Sequence, residues 1–225
     1  MILGRNGSVS LTAEERAYRH IIDMIIRGEI RPGDFILEKE LATRTGMSRT
    51  PVSRALYRLA FEGFVEKLPK KGCFVPTPTP EDASNVFKAR IAIETKTAEE
   101  AAINATDEEI AELKSIASLN KQAFVTFSKE SYSDTNEAFH LGIARVARNP
   151  YLERWCRFIF WRSSFYILYF DGFYIASEPS EVPPPFSPGQ HASVLDAIER
   201  RDSEGAGRAM AENVRNTYLQ LFRRM

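Results

Sequence analysis

The chain has 225 residues with 30 Lys/Arg and 30 Asp/Glu, a formal net charge of zero; it can bury one large core or two small ones, and it is not basic throughout as a general nucleic-acid binder would be. At 44% hydrophobic and 27% charged residues it reads as globular rather than disordered, and it has no apolar run of bilayer length, so no membrane partner is expected. Residues 1–76 hold 13 Lys/Arg against 9 Asp/Glu and the remainder 17 against 21, so only the front is expected to meet an anion.

The first ten residues read as a loose tail without the apolar segment of a secretion signal. Cys73 and Cys156 show neither a CxxC pair nor zinc spacing and read as reduced thiols, so the cytoplasm is the expected compartment. Thr12-Ala13-Glu14-Glu15 is a capping box. Behind it Tyr18, Ile21, Ile22 and Ile25 repeat at helical spacing until Gly28. Arg31-Pro32-Gly33-Asp34 is turn chemistry. A second helix is predicted over 38–45 and a third over 49–62, with Ser48 as its cap and Gly63 at its end. Two short strands follow, 64–68 and 73–75, joined by Pro69-Lys70-Lys71-Gly72.

Pro76-Thr77-Pro78-Thr79-Pro80 is the predicted boundary, dividing the chain into residues 1–76 and 77–225. Beyond it the pattern is helical throughout: 81–104, 107–125, 128–148, 150–176, 189–200 and 202–223. Thr79 and Thr106 cap two of these helices, and Asn149-Pro150 separates two others. Residues 177–188, with five prolines, read as a loop. The predicted fold is mainly α: an N-terminal winged helix-turn-helix and a C-terminal all-α antiparallel bundle.

The stretch Leu41-Ala42-Thr43-Arg44-Thr45-Gly46-Met47-Ser48-Arg49-Thr50-Pro51-Val52 has the layout of a helix-turn-helix. Ala42 is small where two helices would cross, and Gly46 tolerates the positive φ of the turn. Met47, Val52 and Leu56 would face inward. Ser48, Arg49, Thr50 and Arg54 would then stand at the exposed start of the next helix, suited to a DNA major groove. The basic tip Lys70-Lys71-Gly72 suits a wing along a phosphate backbone.

Taken together, Arg27-Gly28-Glu29-Ile30-Arg31-Pro32-Gly33, Glu40-Leu41-Ala42, Ser48-Arg49-Thr50-Pro51-Val52-Ser53-Arg54-Ala55-Leu56 and Glu62-Gly63-Phe64-Val65 resemble the GntR regulators. The resemblance implies DNA contacts from Lys39, Ser48, Arg49, Thr50, Lys71 and Gly72. It also implies a homodimer on a palindromic double-stranded operator. One departure stands out: the family carries Arg-Glu after the Val, and this chain has Ser53-Arg54, which would transfer a contact to Arg54.

The second half is similar to the FCD effector domain of FadR-type members. The residues that carry this are Arg90-Ile91-Ala92-Ile93-Glu94, Asn136-Glu137-Ala138-Phe139-His140, Asn149-Pro150-Tyr151-Leu152 and the run from His191 to Glu199. The resemblance implies a divalent metal, zinc or nickel, held by an Asp and three His that help seat a small carboxylate effector. The matching positions here are Asn136, His140, His191 and Asn213, so two of the four ligands are amides. Two readings stand: a weakened metal site on His140 and His191, or two core histidines in a polar pocket. Arg90 likewise either grips an effector carboxylate or pairs internally with Glu94. The aromatic residues of 150–176 are expected in core and dimer packing, with some free to line an effector pocket.

The expected function is a ligand-responsive repressor released from its operator by a small carboxylate, and not an enzyme. The alternatives are a metal-dependent enzyme, for which the His and Asn set offers neither a good open zinc site nor a nucleophile–base pair, and an architectural DNA binder, whose bundle would need no inward polar set.

Overall fold

The computed structural model describes residues 11–68, 72–126, 129–170 and 187–222. The chain forms two compact units, residues 1–78 and 79–225. In the first, α1 (Ala13–Ile26) starts at Thr12, whose hydroxyl accepts the Glu15 N–H at 3.1 Å. Its buried side, including Tyr18, Ile21, Ile22 and Ile25, packs against α3 (Arg49–Phe61), which buries Val52, Ala55, Leu56 and Leu59. At the edge of this core Tyr18 donates to Glu62 at 2.5 Å and Arg58 lies 3.8 Å over its ring.

Between them in the chain comes α2 (Glu38–Thr45), which buries Leu41 and Ala42. It ends at Gly46, φ +66°, a left-handed residue that costs a Cβ-bearing side chain strain. The Met47 N–H then closes onto the Ala42 carbonyl at 3.1 Å, the Schellman closure that redirects the chain into α3. Met47 is only half-buried, whereas Val52 and Leu56 are sealed.

The wing is a three-stranded antiparallel sheet in the order β1 (Phe35–Ile36), β3 (Gly72–Phe74), β2 (Glu66–Leu68). The sequence reading missed β1, because two residues carry no periodicity; its register, Ile36 opposite Cys73, comes from the partner strand. The sequence predicts a strand through Phe64 and Val65; they are instead buried core residues immediately ahead of β2. At Gly72, φ +100°, a Cβ would sit 2.9 Å from the Ile36 carbonyl oxygen, so glycine is required for this strand to close.

The second unit is helical in every described residue outside its connections: α4 (Pro80–Asn104), α5 (Asp107–Val125), α6 (Lys129–Val146), α7 (Pro150–Phe170), α8 (Ser187–Glu199) and α9 (Ser203–Phe222). The caps read from sequence form. Thr79 accepts from Asp82 N–H at 3.1 Å, and Thr106 and Glu109 exchange backbone donors at 3.0 and 3.2 Å. Asn149 accepts from the Tyr151 and Leu152 N–H groups at 3.1 and 3.2 Å, starting α7. The predicted helix end at 171–176 and most of the proline loop lie outside the described residues. Central to the bundle is α4, which packs against α6, α7, α8 and α9. Along its buried stripe, between Phe87 and Thr97, sit two charged residues, Arg90 and Glu94. No helix among the described residues is long and apolar enough to cross a membrane.

Candidate DNA interface and effector site

The first candidate site is the start of α3. Ser48, Arg49 and Thr50 are all exposed there. Ser48 occupies the N-cap position with extended backbone, but its side chain makes no capping hydrogen bond, contrary to the expectation from sequence. The first turn of α3 also lacks an acidic residue, unlike those of α1 and α2. Free backbone donors, an uncompensated positive helix end and Arg49 therefore converge on one surface, the arrangement that binds phosphate. Lys39 stands exposed on α2. Gly72 shapes the wing rather than offering a side chain, and Lys71 lies outside the described residues.

The Ser53-Arg54 departure has a structural consequence. Ser53 donates to Glu38 Oε1 at 3.0 Å, tying α3 to the start of α2. Arg54 projects into solvent and lies 3.7 Å from Glu14. Exposed pairs of this kind contribute about 0–1 kcal/mol, so Arg54 is readily available to a phosphate. The sequence reading missed Tyr57 and Lys67. Tyr57 continues the outer stripe Thr50, Arg54, Tyr57 at helical spacing, and the Lys67 ammonium sits 3.2 Å over its ring, coupling the wing to the recognition helix. The spacing from Thr50 to Tyr57 was the available signal.

The second candidate site is the interior of the helical unit. Arg90, Glu94, His140, Ser163, His191 and Asn213 are buried polar residues there. One Glu94 oxygen accepts from Arg90 Nε and the other from His140 Nδ1 at 2.5 Å. Arg90 donates again to Ser163 at 3.0 Å, and its guanidinium lies 4.7 Å from the Phe160 ring centre. Phe139 stacks on His191 with centroids 3.8 Å apart, and the two imidazoles lie 5.4 Å apart edge to face. Asn213 donates to Gln190, the neighbour of His191, at 3.2 Å. Asn136 shares the α6 face of His140 at i, i+4, and its Oδ1 is buried without a hydrogen-bond partner.

Of the two readings of Arg90, the internal pair with Glu94 is the one the geometry shows. The sequence weighed Glu94 only as that partner; its second bond, to His140, was missed. Burial would raise the Glu94 pKa, but Arg90 and then His140 outweigh it and hold the carboxyl down at about 2. Burial pushes His140 below its ordinary value, with Glu94 pulling the other way. For His191, burial, His140 and Arg90 all push in the same direction, well down. Both imidazoles are therefore neutral at neutral pH, and the cluster of one cation and one anion is balanced.

The donor set does not fit a tightly held transition metal. Asn136 and Asn213 stand where an Asp and a His are implied, and neutral amides are poor ligands for zinc or nickel. Among the described residues no three His, Cys, Asp or Glu side chains are placed to hold one metal ion. Glu94, the carboxylate at hand, is engaged by Arg90 and His140 on its two oxygens.

Both units resemble known proteins. The family described as bacterial regulatory proteins, gntR family, matches residues 13–75, and the FCD domain matches residues 85–216. The HTH-type transcriptional regulator McbR of Escherichia coli K12 is 26% identical over 220 residues, covering 97% of this chain and 96% of that one. An uncharacterized HTH-type transcriptional regulator in an unstable DNA locus of Streptomyces ambofaciens is 32% identical over 130 residues, 58% of this chain. The match spans about half the length of that protein, 54%, and of a regulator from Agrobacterium vitis, 52%. The structure of E. coli McbR/YncC superposes with a TM-score of 0.84 at 23% identity over 95% of this chain and 99% of that one, a likeness of fold.

Proposed function

Since the chain belongs to the gntR family of bacterial regulatory proteins and carries that family's FCD domain, we propose that this DNA-binding transcriptional regulator is a dimeric repressor. Two copies of α3 would read the half-sites of a palindromic operator, and a small metabolite entering the polar cluster would release them. The observation that carries the DNA reading is the exposed, acid-free start of α3 with Arg49 and Thr50. Arg49 would take a guanine edge and Thr50 a phosphate or base edge. A two-fold dimer fixes the separation of the reading helices, so a small reorientation would remove several contacts together.

A polar group is retained in a bundle interior only where it is hydrogen-bonded or awaits a partner. That supports the effector reading over an architectural binder, whose bundle needs no such cluster. An effector carboxylate could use Arg90 only by displacing Glu94, which would leave two carboxylates close together in the interior. The test is selection of an operator from a random duplex pool, followed by anisotropy titration across salt concentrations. The expected result is tight, salt-dependent binding to the selected site by a dimer. Equal affinity for scrambled duplex would overturn the base-reading claim.

A further inference from the structure

We infer that the effector unit works without a metal, and that its polar cluster receives an uncharged ligand that donates N–H or O–H hydrogen bonds to Asn136 Oδ1 and His140 Nε2. This rests on reading residues 79–225 as the ligand-sensing unit.

Three observations converge. Glu94 is bound to Arg90 on one oxygen and His140 on the other. A carboxylate can only accept, so His140 must supply the proton from Nδ1. A neutral imidazole carries a single N–H, which leaves His140 Nε2 as a bare acceptor. Next, the charge is spent. Arg90 is bound to Glu94 and Ser163 and packed on Phe160, so among the described residues of the cluster no unpaired cation invites a carboxylate. Glu94, the carboxylate of the cluster among the described residues, is engaged on both oxygens and does not invite a divalent cation either. Lastly, Asn136 Oδ1 is buried and has no hydrogen-bond partner, on the same α6 face as His140. Leaving such an acceptor unanswered costs about 1–3 kcal/mol. A carboxylate brings only acceptors and answers neither group. A primary amide or a polyol brings the donors both lack.

The departure from the implied ligand set is then a coherent exchange. The Arg90–Glu94–His140 chain orients the imidazole as a metal's outer carboxylate would, while Asn136 and Asn213 remove the charge that would hold the ion.

The experiment uses the full chain. Metal content is measured after desalting, and thermal unfolding is followed by tryptophan fluorescence with EDTA, ZnCl2 or NiCl2. We expect no retained metal and an unchanged midpoint. The double variant N136D/N213H should gain a midpoint that NiCl2 raises and EDTA lowers. Retention of stoichiometric metal by the wild-type chain, or a lower midpoint in EDTA, would overturn the metal-free claim whether or not the double variant folds. For the ligand class, histidine nitrogen resonances are followed during titration with butyramide and, separately, butyrate at millimolar concentrations. Butyramide should move the His140 Nε2 resonance and butyrate should not. The reverse order, or no response to butyramide, would overturn the assignment. Operator binding by the same preparations separates the two readings: loss of all duplex affinity defeats the repressor function and leaves the metal and histidine results to stand on their own.

Discussion

His140 Nδ1 lies 2.5 Å from Glu94 Oε2 although 46 residues separate them in the chain. This bond joins α4 to α6 in the middle of the bundle, and Arg90 holds the same carboxylate from the other side. Glu94→Ala would strand Arg90 in the interior, and removing one partner of a buried pair costs about 3–5 kcal/mol. The expected result is a loss of that order in urea unfolding followed by tryptophan fluorescence. Trp155 and Trp161, the two tryptophans of the chain, are both on α7, so the signal reports the helical unit. The paired change Arg90→Met with Glu94→Leu should cost less than Glu94→Ala. A loss below about 1 kcal/mol for Glu94→Ala would show that the pair is replaceable by water.

The same cluster sets a pH dependence. His140 and His191 are held below the ordinary value of 6.5, so below that pH the unfolded chain binds more protons than the folded one. Stability is therefore full above about pH 6.5 and falls as the pH drops. Glu94, at about 2 against an ordinary 4.5, adds a second loss below pH 4.5 by the same reasoning. Among the described residues, Glu94 and Arg90 act on His140, and His140 and Arg90 act on His191. His191→Gln should flatten the first limb in urea midpoints measured from pH 7.5 to 5, and an unchanged limb would contradict the assignment to His191.

At the DNA surface the variants should separate by role. Arg49→Ala is expected to cost about 1–3 kcal/mol on the selected operator and less on random duplex. Arg54→Ala is expected to weaken both alike and lower the salt slope by about 1, as for a phosphate contact. Since the Arg54–Glu14 pair is exposed on both sides, Arg54→Ala should change stability by less than about 0.5 kcal/mol. Anisotropy titrations at several salt concentrations measure the binding losses and the slope, and urea unfolding measures the stability. A purely specific loss for Arg54→Ala would show that it reads a base.

The turn of the helix-turn-helix offers a conformational test. An added Cβ at Gly46 meets no atom within 4 Å, so Gly46→Ala is penalised by its left-handed backbone alone, about 1–2 kcal/mol. Gly46→Asn should lose less, because asparagine visits that region more readily. Gly72→Ala faces both a positive φ and the Ile36 carbonyl, and should open the wing. Hydrogen–deuterium exchange over 35–61 and 64–75 would show these losses locally.

Much of this was legible from local signals. The α2 bounds follow from Gly46 and helical spacing, and the caps at Thr12, Thr79 and Thr106 from side-chain reach. Local rules lose force where a partner distant in sequence decides. β1 exists because β3 offers a ladder. Ser48 fits the capping pattern, yet its hydroxyl is not used to cap. Glu94 was visible as an i+4 partner of Arg90, and its place on the buried stripe with Thr97 and Ala98 was a second cue. What it bonds on its other side depended on how α6 lies against α4, which no local pattern encodes.

The cap at Thr79 gives α4 a further significance. The helix begins directly after the stiff Pro76–Pro78 segment, with Pro80 in its first turn, and Glu94 lies fourteen residues on, about 21 Å along a continuous rod. A torque applied at Glu94 meets no joint before it reaches the connector. On the proposed reading, displacement at the cluster would thus be delivered to the connector undamped, and softening the rod midway, for instance by Lys88→Gly, would uncouple the proposed ligand response from DNA binding while sparing both.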